Sequence, residues 1–435
     1  MDESRRQFLR TAGAAAAGVA ATGGLAGCTG PLRTLGGGPT SPAAATADAQ
    51  FRGGPTRRGI APDATVPESV RVDWQVPDVN TGDHTAAKAS PVLAPNGDVV
   101  VPGDTGDVLA VTPDGEVRWR TNATDTTRGF HGTPTIANDT VYVGAYDGNL
   151  YAFDLESGEQ YWRVQLGDAI GSSPGYLDGV VYVAVEYYDP SGGMFGVDAV
   201  TGEVVWEDQR PTDHPHSTPA VDAEHDRVVV GSNDGDLYAW SYPDHEFEWT
   251  FSTGEPIKGP VATFDGSAFF GSWDGHVYRV ALDDGTEEWA FETGSLVMSG
   301  PSVEPSTGTV YVGSHDSNLY ALDAATGEEQ WAFDTGGRVI GCPVVTSDHV
   351  LAGSYDRRLY AVEKESGDES WRVETSGWVT STPLVTDDAV YVTSRASEAS
   401  LGEDGGEDGS DSGDGGDGGG GDGPTGALYR IVADV

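Results

Sequence analysis

Residues 319–331 read LYALDAATGEEQW, and this stretch decides the fold because the chain repeats it. An apolar segment leads into a Thr-Gly turn, and a second segment then ends in Trp331. Residues 150–162 and 195–206 follow nearly the same pattern, whereas residues 238–249 have lost the Thr-Gly. Gly adopts positive φ at little steric cost, so each copy predicts a tight hairpin between two β-strands.

Two landmarks give the period of the repeat. A small residue followed by Pro recurs every 40 to 45 residues, at Pro91, Pro134, Pro174, Pro219, Pro260, Pro301, Pro343 and Pro383. Tryptophan recurs at the same interval, at Trp74, Trp119, Trp162, Trp206, Trp249, Trp289, Trp331 and Trp371. A period near 42 residues with four short strands is typical of propeller blades. The sequence therefore predicts an all-β fold, an eight-bladed β-propeller of four-stranded antiparallel blades.

The two ends of the chain complement each other. Trp74 belongs to an apolar segment, residues 70–76, that has no earlier strands of its own blade. The last unit contains Pro383 and the segment 428–430 but has no Trp after it. We therefore expect the N-terminal strand to complete the last blade, which removes free sheet edges at the seam.

The repeat resembles the quinoprotein, or PQQ-type, repeat A-x-D-x-x-T-G-x-x-x-W, and residues 51–59 resemble the F-R-G-x-x-x-x-x-G stretch that precedes the first blade in that family. The resemblance covers nearly all of residues 50–435 and extends to BamB-like lipoproteins. It implies that the eight landmark tryptophans dock between neighbouring blades and are structural.

The N-terminus carries two processing motifs. Residues 4–9, SRRQFL, resemble a twin-arginine export signal through Arg5, Arg6, Phe8 and Leu9, and residues 25–28, LAGC, resemble a lipobox with Cys28 as the lipid attachment site. We therefore expect a signal peptide over residues 1–27, a flexible tether over 28–49 and the propeller over 50–435. The protein would be exported by the twin-arginine route and anchored to the outer side of the cell membrane. The alternative is an uncleaved, soluble export substrate.

The chain is strongly acidic. Its formal net charge is -45, and only three of its 24 basic residues are lysines. High salt screens such self-repulsion, so the charge indicates a halophilic protein. The rival interpretation is a surface made to bind cations or basic partners. Nucleic acid is excluded as a partner because phosphate binding needs clustered Lys and Arg.

The resemblance leaves two functional classes open. Quinoprotein dehydrogenases of this family bind PQQ on the propeller axis, typically with a vicinal Cys-Cys disulfide and a Ca²⁺ ion. This chain contains only Cys28 and Cys342. Glu186 and Trp378 could serve as a Ca²⁺ ligand and a stacking group, but neither lies in a matching motif. We therefore expect no cofactor, no catalytic residue, and a monomeric scaffold that binds other envelope proteins. A PQQ-dependent dehydrogenase and a solute-sensing propeller remain the alternatives.

Candidate ligand-binding residues lie just before the Pro landmarks, where the loops should surround the propeller axis. They are the cationic, imidazole and aromatic residues Lys88, His131, His214, His216, Lys258, Arg338 and Trp378. Such groups would suit a small anion or a peptide carboxylate. Alternatively, they are counter-charges that pair with Glu255, Asp213 and solvent. His214 and His216 have no third ligand at a fixed spacing, so no metal site is expected.

Two further features have simpler interpretations. Residues 396–425 are almost wholly Gly, Asp, Glu and Ser with nine acidic groups, which predicts a disordered loop within the last blade. Cys342 stands at a repeat position that holds Ser, Thr or Gly elsewhere, which predicts a buried, unpaired thiol.

Overall fold

The computed structural model describes residues 50–80, 89–126, 128–396 and 426–434. The expected signal peptide, lipobox and tether, together with Lys88 and residues 397–425 of the acidic segment, lie outside the described residues, so the structure does not test those predictions. Within them, the strands form eight antiparallel sheets, seven with four strands and one with five. Each sheet follows one Pro landmark and is one blade, so the predicted eight-bladed propeller is confirmed.

The strands follow the repeat unit by unit. The first strand, β1, spans Val70–Asn80. Blades one and two consist of β2 (Val92–Leu93), β3 (Val99–Pro102), β4 (Asp107–Val111), β5 (Val117–Asn122), β6 (Thr135–Ala137), β7 (Thr140–Gly144), β8 (Asn149–Asp154) and β9 (Gln160–Gln165). Blades three and four consist of β10 (Gly175–Leu177), β11 (Val180–Glu186), β12 (Gly192–Asp198), β13 (Val204–Asp208), β14 (Ala220–Asp222), β15 (Arg227–Gly231), β16 (Asp236–Ser241) and β17 (Phe247–Ser252).

Blades five and six consist of β18 (Ala262–Phe264), β19 (Ser267–Gly271), β20 (His276–Ala281), β21 (Glu287–Glu292), β22 (Ser302–Glu304), β23 (Thr309–Gly313), β24 (Asn318–Asp323) and β25 (Glu329–Asp334). Blades seven and eight contribute β26 (Val344–Val345), β27 (His349–Ser354), β28 (Arg358–Glu363), β29 (Glu369–Glu374), β30 (Trp378–Val379), β31 (Leu384–Val385), β32 (Val390–Arg395) and β33 (Gly426–Ala433). The short β30 pairs with β32 and is the extra strand of the last blade.

Neighbouring blades cover each other's middle strands. Every residue of β7 is buried, whereas the outer strand β9 alternates between exposed and partly buried positions. One hydrophobic cluster joins Val100 of blade one to Val141 and Tyr151 of blade two. A strand covered on both faces must be apolar throughout, which explains runs such as the one in β7.

The chain ends close the ring as the sequence predicted. β1 pairs antiparallel with β33, with Val70 opposite Ala433 and Val76 opposite Leu428. The backbone N–H of Asp434 also donates to the carbonyl of Ser69, at 2.9 Å. The eighth blade therefore takes its outer strand from the start of the propeller.

The landmark tryptophans dock onto the following blade. The indole Nε1 of Trp119 donates to the carbonyl oxygen of Leu155 at 2.8 Å. A Cβ on Gly158 would lie 2.6 Å from the same indole, so the turn glycine is required for this contact. Equivalent bonds to carbonyl oxygens are made by Trp74, Trp249, Trp289, Trp331 and Trp371.

Residues 50–61 run along the first strands of blades four to seven. Backbone carbonyls of this segment accept N–H groups of Val221, Thr263, Val303 and Val345. Phe51 begins a 3₁₀ turn, Phe51–Gly53, and lines two separate cavities. Gly59 has φ +67°, and a Cβ there would lie 2.2 Å from the Ser302 hydroxyl. The segment that resembles the family's F-R-G stretch is thus a plug inside the central channel.

In the described part of the chain, no helix has the length and hydrophobicity to span a membrane.

Candidate ligand-binding face

The loops that precede the Pro landmarks form the mouth of the central channel. A cavity of about 40 Å³ lies there, and Phe51 is among the residues that line it. Three of the predicted residues line it together, namely His131, His216 and Lys258. A cavity of this volume holds roughly three water molecules. We call the mouth and the loops around it the mouth face.

A polar cluster surrounds Gly171 at this mouth. The Glu186 carboxylate contacts His216 Nδ1 at 2.8 Å, and the Tyr146 hydroxyl pairs with His216 Nε2 at 3.3 Å. The ring of His131 packs on Tyr146 with centroids 4.0 Å apart. A Cβ on Gly171 would lie 2.9 Å from Glu186 Oε1 and 3.0 Å from the Tyr146 hydroxyl, so the missing side chain lets these groups converge.

Lys258 is buried against an aromatic ring. Its Nζ lies 4.0 Å from the centre of the Trp273 ring, and only 5% of the residue is exposed. A cation held over an indole face gains about 0.5 to 2 kcal/mol, more when water is excluded.

A second aromatic and cationic group lies where blades seven and eight meet. Trp378 stacks on Tyr355 with centroids 4.5 Å apart and an angle of 9° between the rings. The guanidinium carbon of Arg395 lies 4.6 Å from the Trp378 ring and 5.4 Å from the Tyr355 ring. Arg395 is buried, while both aromatic rings are partly exposed.

The remaining predicted residues belong to the same loops but do not line the cavity. His214 Nε2 pairs with the Tyr187 carbonyl at 2.7 Å, and its Nδ1 lies 3.7 Å from the Asp213 carboxylate. This contact agrees with the counter-charge interpretation for His214. Arg338 is exposed, and its backbone carbonyl accepts the N–H of Tyr355.

Sequence reasoning missed the aromatic partners of the predicted cations. Tyr146, Trp273 and Tyr355 each stand two residues after the glycine near the end of a blade's second strand. Arg395 and Glu186 end the second strands of their own blades. All five residues share one repeat position, at or just after the end of the second strand. The available signal was therefore the aromatic or charged side chain at this position in these five repeats.

The mouth does not fit the cofactor of the quinoprotein dehydrogenases. Cofactor pockets usually measure about 300 Å³ or more, far above the volume of this cavity. Among the described residues, no three His, Cys, Asp or Glu side chains converge as metal ligands. Glu186, the candidate Ca²⁺ ligand, already pairs with His216, and Trp378, the candidate stacking group, already stacks on Tyr355.

The repeats match a known family. Residues 104–224, 196–333 and 315–411 match the PQQ-repeat family model described as outer membrane protein assembly factor BamB. The chain belongs to this BamB-type family. BamB of Yersinia pestis is 25% identical over 193 residues, which cover 40% of this chain and 46% of that protein. The chain thus matches less than half the length of these curated relatives.

Solved structures of the BamB type and of the dehydrogenase type share the fold. The quinohemoprotein alcohol dehydrogenase from Comamonas testosteroni has a TM-score of 0.68 at 15% identity, covering 88% of this chain and 80% of its own. BamB from Moraxella catarrhalis has a TM-score of 0.60 at 17% identity, covering 84% and 98%. At these identities the likeness shows the propeller fold alone.

Proposed function

We propose that this BamB-type propeller is a non-catalytic scaffold that binds another envelope protein through its mouth face. The observation that carries the proposal is the set of partly exposed aromatic rings around the mouth, Tyr146, Trp273, Tyr355 and Trp378, each packed against a cationic or imidazole group. Aromatic and Arg side chains dominate the energetics of protein interfaces. In a chain with net charge -45, this concentration of positive groups favours a partner segment that carries a carboxylate.

The location proposed for this scaffold rests on two lines of support. The family is described by an outer membrane assembly factor, and the chain itself carries the twin-arginine and lipobox motifs. We place the propeller at the outer side of the cell membrane, held by a lipid on Cys28. A lipid on that cysteine would leave the segment 29–49 as the link to the channel plug.

The alternative is a PQQ-dependent dehydrogenase, which the shared fold favours and the mouth does not. A titration with PQQ and Ca²⁺ at high salt, followed by tryptophan fluorescence and dye-linked alcohol oxidation, separates the two. If the protein is a scaffold, the titration should show neither saturable PQQ binding nor alcohol oxidation. Saturable binding with turnover would replace the scaffold by an enzyme.

Partner capture tests the scaffold directly. The immobilised protein is incubated with detergent-solubilised envelope proteins of the same organism at high salt, and the captured protein is purified and titrated. The double variant Lys258→Met, Trp273→Ala should bind at least about tenfold more weakly, as loss of an interface anchor does. The control is Arg372→Ala on outer strand β29, which also removes one positive side chain. Equal affinity of the double variant and the control would reject the mouth face as the binding surface.

A further inference from the structure

The channel plug carries a buried arginine whose hydrogen bonds are incomplete. Arg52 is only 6% exposed, and its Nη2 donates to the Pro301 carbonyl and to the Ser302 hydroxyl. Its Nε and Nη1 have no hydrogen-bond acceptor within the described ranges. A guanidinium has five N–H groups, so three of them lack an oxygen acceptor. The Cys342 thiol is close to this guanidinium, but sulfur is a weak acceptor.

A second buried guanidinium lies near the first. Arg57 is fully buried and donates to carbonyl oxygens of Phe51 and Pro174 at 2.9 Å and of Pro219 at 3.2 Å. Burial, and then the neighbouring charge of Arg52, lower the pKa of Arg57 to about 9. In the part of the chain that the structure describes, neither arginine pairs with a carboxylate. Two like charges are therefore buried together with backbone dipoles as their main compensation.

There is space beside Arg52 for a small ion. A cavity of about 70 Å³ borders Arg52 and Gly59 and is lined by the first strands of blades one, seven and eight. Its wall is mixed, with Val92, Val344 and Leu384 beside the polar residues Ser90 and Thr382. Arg52 is the one charged residue among the described residues that line it, so nothing in this lining compensates the buried guanidinium charge unless something negative enters.

We propose that the channel interior binds a small monovalent inorganic anion, a halide such as chloride, against the guanidinium of Arg52. A halide accepts hydrogen bonds from any direction and needs no donors beyond the free N–H groups and solvent. A sulfate or phosphate would bring a second negative charge, and the described lining of the cavity holds no second cationic residue to match it. Arg52 lines this cavity and not the mouth cavity, so the proposed ion site does not depend on the proposed partner binding.

Bromide diffraction tests the site on the unchanged protein. Crystals are grown with bromide in place of chloride, and anomalous differences are collected at the bromine edge. The expected result is a peak in contact with Nε or Nη1 of Arg52. Density for water alone in this cavity would overturn the proposal, and this experiment does not depend on any variant folding.

Thermal unfolding tests whether the ion matters in solution. At constant sodium concentration, replacing gluconate by chloride should raise Tm progressively, because a ligand of the native state stabilises it by mass action. Arg52→Met should lose this chloride-dependent rise. Arg58→Met, which removes a partly buried arginine of the same segment, should keep it. A bromide peak without any chloride dependence of Tm would mean an adventitious ion only and would likewise overturn the proposal.

Discussion

His245 lies flat against the indole of Trp206, with ring centroids 4.6 Å apart and an angle of 16° between the planes. In blade four, which lacks the Thr-Gly pair, His245 occupies the position that glycine holds in the other turns of this type. It keeps the left-handed backbone conformation, with φ 56°, and its Nε2 pairs with the Tyr182 hydroxyl at 3.0 Å. The imidazole of His245 therefore covers Trp206, whereas in other blades the backbone of a turn glycine covers the landmark tryptophan.

This stack predicts a pH dependence of stability. Burial lowers the pKa of His245 below its ordinary value, so the folded state resists protonation. As pH falls through about 6.5, the unfolded chain takes up a proton that the folded chain does not, and the free energy of unfolding decreases. Above that pH both states are neutral and the residue contributes no pH dependence.

His245→Asn should reduce the loss of unfolding free energy at acid pH, because Asn tolerates positive φ and does not titrate. The measurement is the guanidinium chloride midpoint at about pH 8 and about pH 5 for both proteins. His276→Asn, in the second hairpin of blade five, is the control. An unchanged difference between the two pH values in His245→Asn would contradict the prediction.

Trp74 should contribute more to the stability of the folded ring than its partial exposure suggests. Its indole donates to the Pro113 carbonyl at 3.0 Å and so joins the composite blade to blade one. Trp74 is only partly buried, so loss of its own packing should cost less than the roughly 3 to 5 kcal/mol of a fully buried aromatic side chain. Trp74→Ala also weakens the contact that closes the ring. We expect Trp74→Ala to melt earlier than Trp206→Ala at matched high salt, and the reverse order would show that closure does not depend on this contact.

The repeat allowed the fold to be predicted because its signals are local. The Pro and Trp landmarks predict the blade count, and the unmatched strand around Trp74 predicts the closure, which the pairing of β1 with β33 confirms.

The residues that line the channel mouth were only partly predictable from the sequence. Proximity to a Pro landmark selected His131, His216 and Lys258, which line the cavity, but equally selected His214 and Arg338, which do not.

The channel plug could not be placed from the pattern alone. Residues 51–59 were recognisable as a family stretch, but nothing local indicates that Arg57 reaches carbonyls of blades three and four. Those contacts join residues more than a hundred positions apart in the chain, so they depend on the closed ring. Three arginines in nine residues of so acidic a chain were the available signal.

Arg57 should therefore be a major determinant of stability. Arg57→Met would leave the buried carbonyls of Phe51 and Pro219 without their side-chain donor, whereas the Pro174 carbonyl would keep the Thr135 hydroxyl. Each buried unsatisfied group costs about 1 to 3 kcal/mol, so we expect a loss of roughly 2 kcal/mol or more. Arg58→Met, which removes a bond to Thr263 at a partly buried site, should cost about 1 kcal/mol.

Guanidinium chloride unfolding of both variants at matched salt measures the difference. A neutral Arg57→Met would mean that the cost of burying this charge cancels its hydrogen bonds, as replacement of buried ions by apolar side chains sometimes shows.

Gly171→Ala tests the mouth without removing any polar group. The backbone of Gly171 is not in the left-handed region, so alanine fits the conformation, but its Cβ would lie within 3.0 Å of both Glu186 and Tyr146. Those side chains must move apart, which disturbs their bonds to His216. We expect affinity for the captured envelope partner to fall about tenfold, the effect of losing roughly 1.4 kcal/mol at an interface.

The matched control is Met298→Leu, at the same repeat position in blade six and also at the cavity wall. A change between apolar side chains of similar volume should leave affinity unaltered. Titration of the purified partner against the three proteins, with Tm measured in parallel, gives the comparison. If both variants lose affinity equally, the cavity responds to any repacking and the polar cluster around Gly171 has no specific role. If only Gly171→Ala loses affinity while its Tm stays close to that of the parent, the His216–Glu186 pair is part of the surface that the partner contacts.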